Sequence, residues 1–237
     1  MRPTAVWIVL IAAAVLPGGC YDRARNRAVL HFEPQQAIAN WSRDARFEHL
    51  GIRRVAVMPF VDRSRYPAAS AQLTGTFVSE LRKARRFDVT EVAAKEPLAQ
   101  VTAARGSFDA VQARLLGETL NVDTVIIGEI VEYRPYRPLA IGLRIVMIDT
   151  RSGRVVWTVD ETLDTDELAV ANLARAYYYD IVDPEASEYK VDRVLRSMAT
   201  FSRCVCYHFI RTLDRPLTAP AAPPVSAGTS EAAADAP

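Results

Sequence analysis

Residues 139–163 read LAIGLRIVMIDTRSGRVVWTVDETL, two long apolar runs on either side of the five residues TRSGR. The runs are rich in Ile, Val and Trp, residues that suit a pleated, half-buried surface, and the Ser-Gly pair between them is a hairpin signal. Residues 139–149 and 155–163 are therefore predicted to be two antiparallel strands. Whatever else this chain forms has to be arranged around them.

The residues upstream supply the rest of a sheet. VDTVIIGEIVEY at 122–133 reads as a strand long enough to project past its neighbours, which makes strands three to five an antiparallel meander. RPYRP at 134–138, with Tyr136 between Pro135 and Pro138, marks a connection. Earlier, RRVAVMPF at 53–60 is a short apolar run ending near Pro59, the pattern of a buried strand, and 61–67 reads as a turn. Residues 68–84 place Leu73, Phe77, Val78 and Leu81 at helical spacing, and FDVTEV at 87–92 alternates with period two. Pro97 breaks the next stretch. A second helix is expected over 109–120, with Asp109 as its N-cap and Asn121 at its end. The predicted fold is a single α/β domain: a β-α-β-α unit, then an antiparallel three-strand meander, with C-terminal helices packed on the sheet.

Two C-terminal features carry the functional questions. Tyr177, Tyr178 and Tyr179 stand in a row, which one helix face cannot bury together; they pack a helix end under a loop, or leave at least one ring exposed as an anchor for a partner. Residues 190–213 place Val191, Val194, Leu195, Met198, Phe201, Val205 and Phe209 on one stripe, with Arg193, Arg196, Arg203 and Arg211 mostly away from it. That stripe is expected to close the core on the open face of the sheet. A membrane-surface or partner helix is the competing reading.

At the amino end, residues 5–16 are an uncharged apolar run preceded by Arg2, shorter than the roughly 20 residues of a membrane span. They read as an export signal. The PGGC that follows, ending at Cys20, resembles the bacterial lipoprotein signal, in which the cysteine is acylated and begins the mature chain. One departure is that Leu16 stands four places before the cysteine and Pro17 takes the position usually held by a large aliphatic residue. The alternative is a plain secretory signal cut nearby, with Cys20 left free or removed. By resemblance to Gram-negative lipoproteins, Tyr21 in place of Asp after the cysteine points to the outer membrane. The expected layout is a signal peptide at 1–19, a tether at 20–50, the folded domain at 51–213 and a disordered Pro/Ala-rich tail at 214–237.

Composition excludes several classes. With 29 basic and 28 acidic residues the formal net charge is +1, which gives no electrostatic case for nucleic acid or an anionic surface. Cys204 and Cys206, separated by one residue, cannot form an unstrained disulfide in a helix; they read as two thiols, one buried and one partly exposed. With His208 as their only close histidine they lack a metal-ligand set, and His31 and His49 fall in the tether. No phosphate loop, GxSxG elbow or HExxH helix is present. Asp149 and Asp160 read as residues that cap or flank strands. No catalytic residue, cofactor or metal is expected.

IRRVAVMPFVDRS at 52–64, VDTVIIGEIVEY at 122–133 and LRIVMIDTRSGRVVW at 143–157 together resemble, in order and spacing, the domain shared by the curli-secretion lipoprotein CsgG, the peptidoglycan-synthase activator lipoprotein LpoB and the amino-terminal domain of TolB. The resemblance covers roughly residues 51–165 and identifies a fold more securely than a task. A channel subunit like CsgG needs membrane hairpins with strands of about 9–11 residues. The five-residue connection after Tyr133 leaves no room for one, and 165–183 has helical order where a second would fall. The resemblance therefore implies a lipid-anchored envelope protein facing the periplasm and binding an envelope protein, as a cell-wall synthase activator or an export accessory. Tyr66, Tyr136 and Tyr177–Tyr179 are the candidate contacts. A small-molecule or glycan-binding periplasmic domain is the alternative from another class, and a subunit of a homo-oligomeric secretion assembly without pore hairpins is a third.

Overall fold

The hairpin at 139–163 forms as expected. In the computed structural model, which describes residues 38–95 and 110–216, β6 (Ala140–Asp149) and β7 (Val155–Asp164) pair antiparallel with Met147 opposite Trp157. The turn is closed by Asp149, whose carboxylate accepts the N–H of Ser152 at 2.9 Å, while Gly153 takes a left-handed conformation at φ +70°. A side chain there would be strained, which is why glycine holds the place. The signal peptide, Cys20, Pro97, the Asp109 cap and nearly all of the tail lie outside the described residues.

β5 (Thr124–Arg134) pairs antiparallel with β6 and completes the meander. On its other side lies β2 (Arg54–Val57), parallel to β5 and to β4 (Asp88–Glu91), as a β-α-β unit requires. Two strands were not expected. Trp41–Arg43 forms β1, an antiparallel edge beside β7, and Val61–Asp62 forms β3, which runs parallel to the far half of β5. The sheet is seven-stranded and mixed, ordered β1-β7-β6-β5-β2-β4 with β3 beside β5.

One face of the sheet is covered by three helices: α1 (Ala69–Lys83), α3 (Leu168–Tyr177) and α5 (Met198–Arg211). Leu73, Phe77, Val78 and Leu81 of α1 are all buried there, with Ile126, Leu143, Ile145 and Trp157 from the strands and Phe201, Val205 and Phe209 from α5. The second face is only partially covered. Helix α2 (Ala110–Leu120) packs Leu116 over Ala56, Met58 and Val125, a separate small cluster. Asn121 ends α2 in the left-handed region at φ +54°, the cap role expected of it.

Residues 38–50 and 214–215, read as tether and tail, pack on the domain: Ile38 and Phe47 are buried in the main core, and Asp160 donates its N–H to the carbonyl of Asn40. The guanidinium of Arg215 donates to the carbonyl of Ile38 at 3.0 Å. The stripe over 190–213 closes the core as expected, but not as one helix. It divides into α4 (Glu188–Val191), a 3-10 turn (Asp192–Arg196) and α5, with Ser197 extended between them and its hydroxyl accepting the N–H of Thr200 as an N-cap. Cys204 and Cys206 are both buried free thiols, so neither is the partly exposed one. α5 packs against α1, α3 and the 3-10 turns at its two ends, and both positions fall in the main core.

Candidate interaction surface

The carboxyl ends of β3 and β5 share one end of the sheet with the connection to β6. Asp62 shapes the loop there, its carboxylate accepting the N–H of Ser64 at 2.7 Å and the hydroxyl of Ser64 at 2.6 Å. Arg65 then takes a left-handed conformation at φ +69°, and the carbonyl of Tyr66 accepts the N–H of Ala69 to start α1. Tyr66 is thereby laid edge-on against Tyr133, ring centroids 5.6 Å apart, and left exposed on its other side. Tyr133 is buried and donates its hydroxyl to Gln72 at 3.0 Å, so the platform beneath Tyr66 is fixed. Burial raises the phenol pKa of Tyr133, which keeps it the donor in that bond.

Tyr136 stands in the short connection between β5 and β6 and is 76% exposed. The base of that connection is clamped by the ion pair of Arg134 with Asp164 and by Thr165, whose N–H and hydroxyl both reach the carbonyl of Leu139. Leu168, in the first turn of α3 three residues beyond Thr165, is also mostly exposed, and Val131 at the bulge between Ile130 and Glu132 is less than half exposed. One end of the sheet therefore presents two tyrosines and two aliphatic side chains on a backbone pinned by hydrogen bonds. Aromatic rings held this way provide large contact area at low ordering cost, the property of residues that dominate protein interfaces.

The tyrosine row does not join them. Tyr177 and Tyr178 are buried and Tyr179 is partly buried against the core, so the first two are withdrawn as exposed contacts. Tyr177 packs its ring on Tyr207 at 5.2 Å and His208 at 6.1 Å. Adjacent positions can both go inside because α3 is covered on several sides, by β7, α5 and the 3-10 turn, and because the helix passes into a π turn (Tyr178–Val182).

A row of charges that sequence reading missed crosses the open area of the second face. Glu129, Arg144 and Asp160 are direct neighbours in register on β5, β6 and β7. Arg144 bonds Asp160 at 2.7 Å and reaches Glu129 at 3.4 Å, and Arg63 closes the row on Glu129 at 2.9 Å. Period-two alternation marks these positions as outward-facing, but only the register shows that opposite charges meet. Exposed pairs of this kind contribute up to about 1 kcal/mol each.

Two thiols and one imidazole have shifted protonation. Burial pushes the thiols of Cys204 and Cys206 up, so both stay protonated rather than nucleophilic. His208 is held down to about 4 by burial and by the charges of Arg215 and Arg211, and its Nε2 has no hydrogen-bond partner among the described residues. No group of three or more His, Cys, Asp or Glu among the described residues is placed to hold a metal ion. None of the described helices is long and apolar enough to cross a membrane.

No protein-family model matches the chain, and no curated protein matches it. Among solved structures it is similar to the PelC dodecamer from Paraburkholderia phytofirmans, at 20% identity over 50% of this chain and 76% of that one, with a TM-score of 0.37. It is similar to lipoprotein GNA1162 from Neisseria meningitidis, at 15% identity over 56% of this chain and 99% of that one, TM-score 0.38. It is also similar to the C-terminal domain of LpoB from Escherichia coli, at 16% identity over 47% of this chain and 82% of that one, TM-score 0.34.

Proposed function

We propose that this chain is a lipid-anchored protein of the bacterial cell envelope, attached through Cys20 to the outer membrane and facing the periplasm, that works without catalysis by binding another protein. The observation that carries the reading is the exposed group at one end of the sheet, Tyr66, Tyr136, Val131 and Leu168, in a domain whose two described thiols are buried. The lipoprotein-like signal supports the anchor, and the resemblance to the CsgG, LpoB and TolB domain supports a cell-wall synthase activator or an export accessory. Cross-linking and pull-down from intact cells tests it, comparing the native chain with Cys20→Ala and with Tyr66→Ala/Tyr136→Ala and scoring lipid labelling and retained proteins. The expected result is lipid label on the native chain but not on Cys20→Ala, and a defined envelope partner whose recovery falls at least about tenfold in the tyrosine variant. Absence of label and of any retained protein overturns the reading in favour of a soluble ligand-binding domain.

A further inference from the structure

The formal net charge of +1 conceals an uneven distribution. The amino ends of β2, β4 and β5, the turn between β6 and β7 and the end of β1 all meet at the end of the sheet opposite Tyr66 and Tyr136, as the pairs Arg54↔Asp88, Val55↔Thr124, Thr124↔Asp149 and Arg43↔Trp157 require. Two recessed carboxylates stand there, Asp44 and Asp123, with side chains 15% and 13% exposed. Each is shared by two arginines. Asp44 lies 3.3 Å from Arg46 and 3.9 Å from Arg154; Asp123 lies 3.3 Å from Arg151 and 3.8 Å from Arg54.

Both carboxylates are also committed inward. Asp123 accepts the N–H groups of Arg53 and Arg54 at 3.0 and 2.9 Å, and Asp44 accepts that of Arg46 at 2.8 Å. The four guanidinium side chains project past them, 45–74% exposed. Each site therefore shows two positive charges in front of one withdrawn negative charge. Arg53 and Arg85 are exposed at the same end, while Glu48 and Asp214 are taken by Arg86 at 2.6 Å each. With Asp88 and Glu118 they make four exposed acids against six exposed arginines and the half-buried Arg86 among the described residues of this end.

We propose that this arginine-rich end is a docking surface for the anionic headgroups of a phospholipid bilayer. The inference deepens the lipid-anchored reading and rests on it for proximity. Cys20 and Ile38 are eighteen positions apart, and even a fully extended chain of that length spans no more than about 65 Å. Within that reach, arginines spread over the blunt end of a sheet meet a plane of phosphates, with exposed Val155 beside Arg154 at the contact. No exposed Phe, Tyr or Trp stands among these arginines to stack on bases, so single-stranded nucleic acid is the poorer fit.

Vesicle flotation tests the surface apart from the anchor. The chain from residue 20 onward, carrying Cys20→Ser so that no acyl group is attached there, is mixed with vesicles of phosphatidylcholine alone or of equimolar phosphatidylcholine and phosphatidylglycerol. The expected result is flotation with the anionic vesicles only, weakened by salt. A basic residue at such a surface contributes roughly a fivefold change in partition, so Arg151→Ala/Arg154→Ala is expected to lower binding at least tenfold with an unchanged melting temperature. Arg46→Ala is expected to lower it too, and Tyr136→Ala to leave it unaltered. Equal binding to both vesicles, no binding, an unaffected double variant, or displacement of the vesicles by duplex DNA at low concentration overturns the proposal. Lipid labelling of Cys20 in cells is scored separately: label without flotation leaves the anchor and removes the surface, and flotation without label does the reverse.

Discussion

Trp157 donates its indole N–H to the hydroxyl of Thr212 at 2.9 Å, and both residues are fully buried. The Thr212 hydroxyl in turn donates to the carbonyl of Phe209 at 2.7 Å, so one hydroxyl ties the centre of β7 to the end of α5. Thr212→Val keeps the volume and strands the indole donor, a loss of about 1–3 kcal/mol. Thr212→Ser keeps the bond and loses a methyl group, at about 1 kcal/mol. Urea unfolding followed by tryptophan fluorescence reads both; a Thr212→Val midpoint equal to that of the native chain would show that the bond contributes nothing.

Gly128 faces the ring of Phe60, and a Cβ there would stand 2.3 Å from Phe60 Cδ1. Phe60 has no free volume to retreat into, since it is buried against Phe77 with ring centroids 5.4 Å apart. Gly128→Ala is expected to cost about 1–3 kcal/mol through overpacking. Adding Phe60→Leu recovers some of that loss, and a double-mutant cycle by chemical denaturation reads the coupling.

His208 makes the fold sensitive to acid. Its folded pKa of about 4, set by burial and then by Arg215 and Arg211, lies below the unfolded value of roughly 6.5. Between these values the unfolded chain binds the extra proton, so stability is full above pH 6.5 and declines as the pH falls toward 4, by up to about 3 kcal/mol. Melting temperatures of the native chain and His208→Phe, measured from pH 7 to 4.5, should diverge: the native chain loses more across the window. Parallel curves would show that the imidazole is already charged or well solvated in the fold.

Cys204 and Cys206 are expected to resist alkylation. Both are buried, and burial keeps both thiols protonated at neutral pH. Mass spectrometry after iodoacetamide treatment at pH 8 should find neither residue modified in the native state and both modified in denaturant. Rapid labelling of either one in the folded protein would mean that α5 opens locally.

The β-α-β-α unit and the meander were legible because each strand and helix carries its own period: Leu73, Phe77 and Leu81 repeat along α1, and the apolar runs of β5, β6 and β7 are long. β1 was not legible, since Trp41-Ser42-Arg43 is too short to show alternation and owes its place to a partner more than a hundred residues away. Ser197 was a readable N-cap, masked by an apolar stripe that continues on both sides of the break. Tyr66 and Tyr136 were chosen for their flanking turns and prolines, and loops of that kind do surface. For Tyr177 and Tyr178 the sequence leaves helix-end packing and a partner contact both open, because the exposure of a ring depends on how many neighbours enclose its helix, a long-range property; both rings are buried. The arginine-rich end was invisible for the same reason: Arg46, Arg54, Arg151 and Arg154 come from three separated stretches, and whole-chain charge averages them away.

The bond from Arg215 to the carbonyl of Ile38 places the two ends of the folded domain against each other. Nearby, Arg43 reaches the carbonyls of Leu213 and Arg215, and Arg86 bridges Glu48 and Asp214. A mechanical load applied between residues 38 and 215 would thus act first on this clasp and on the short β1 edge, whose bonds give way singly. The long pairings of β5, β6 and β7 would carry almost none of it, and a domain hung from its amino end could be tugged without having its central sheet sheared.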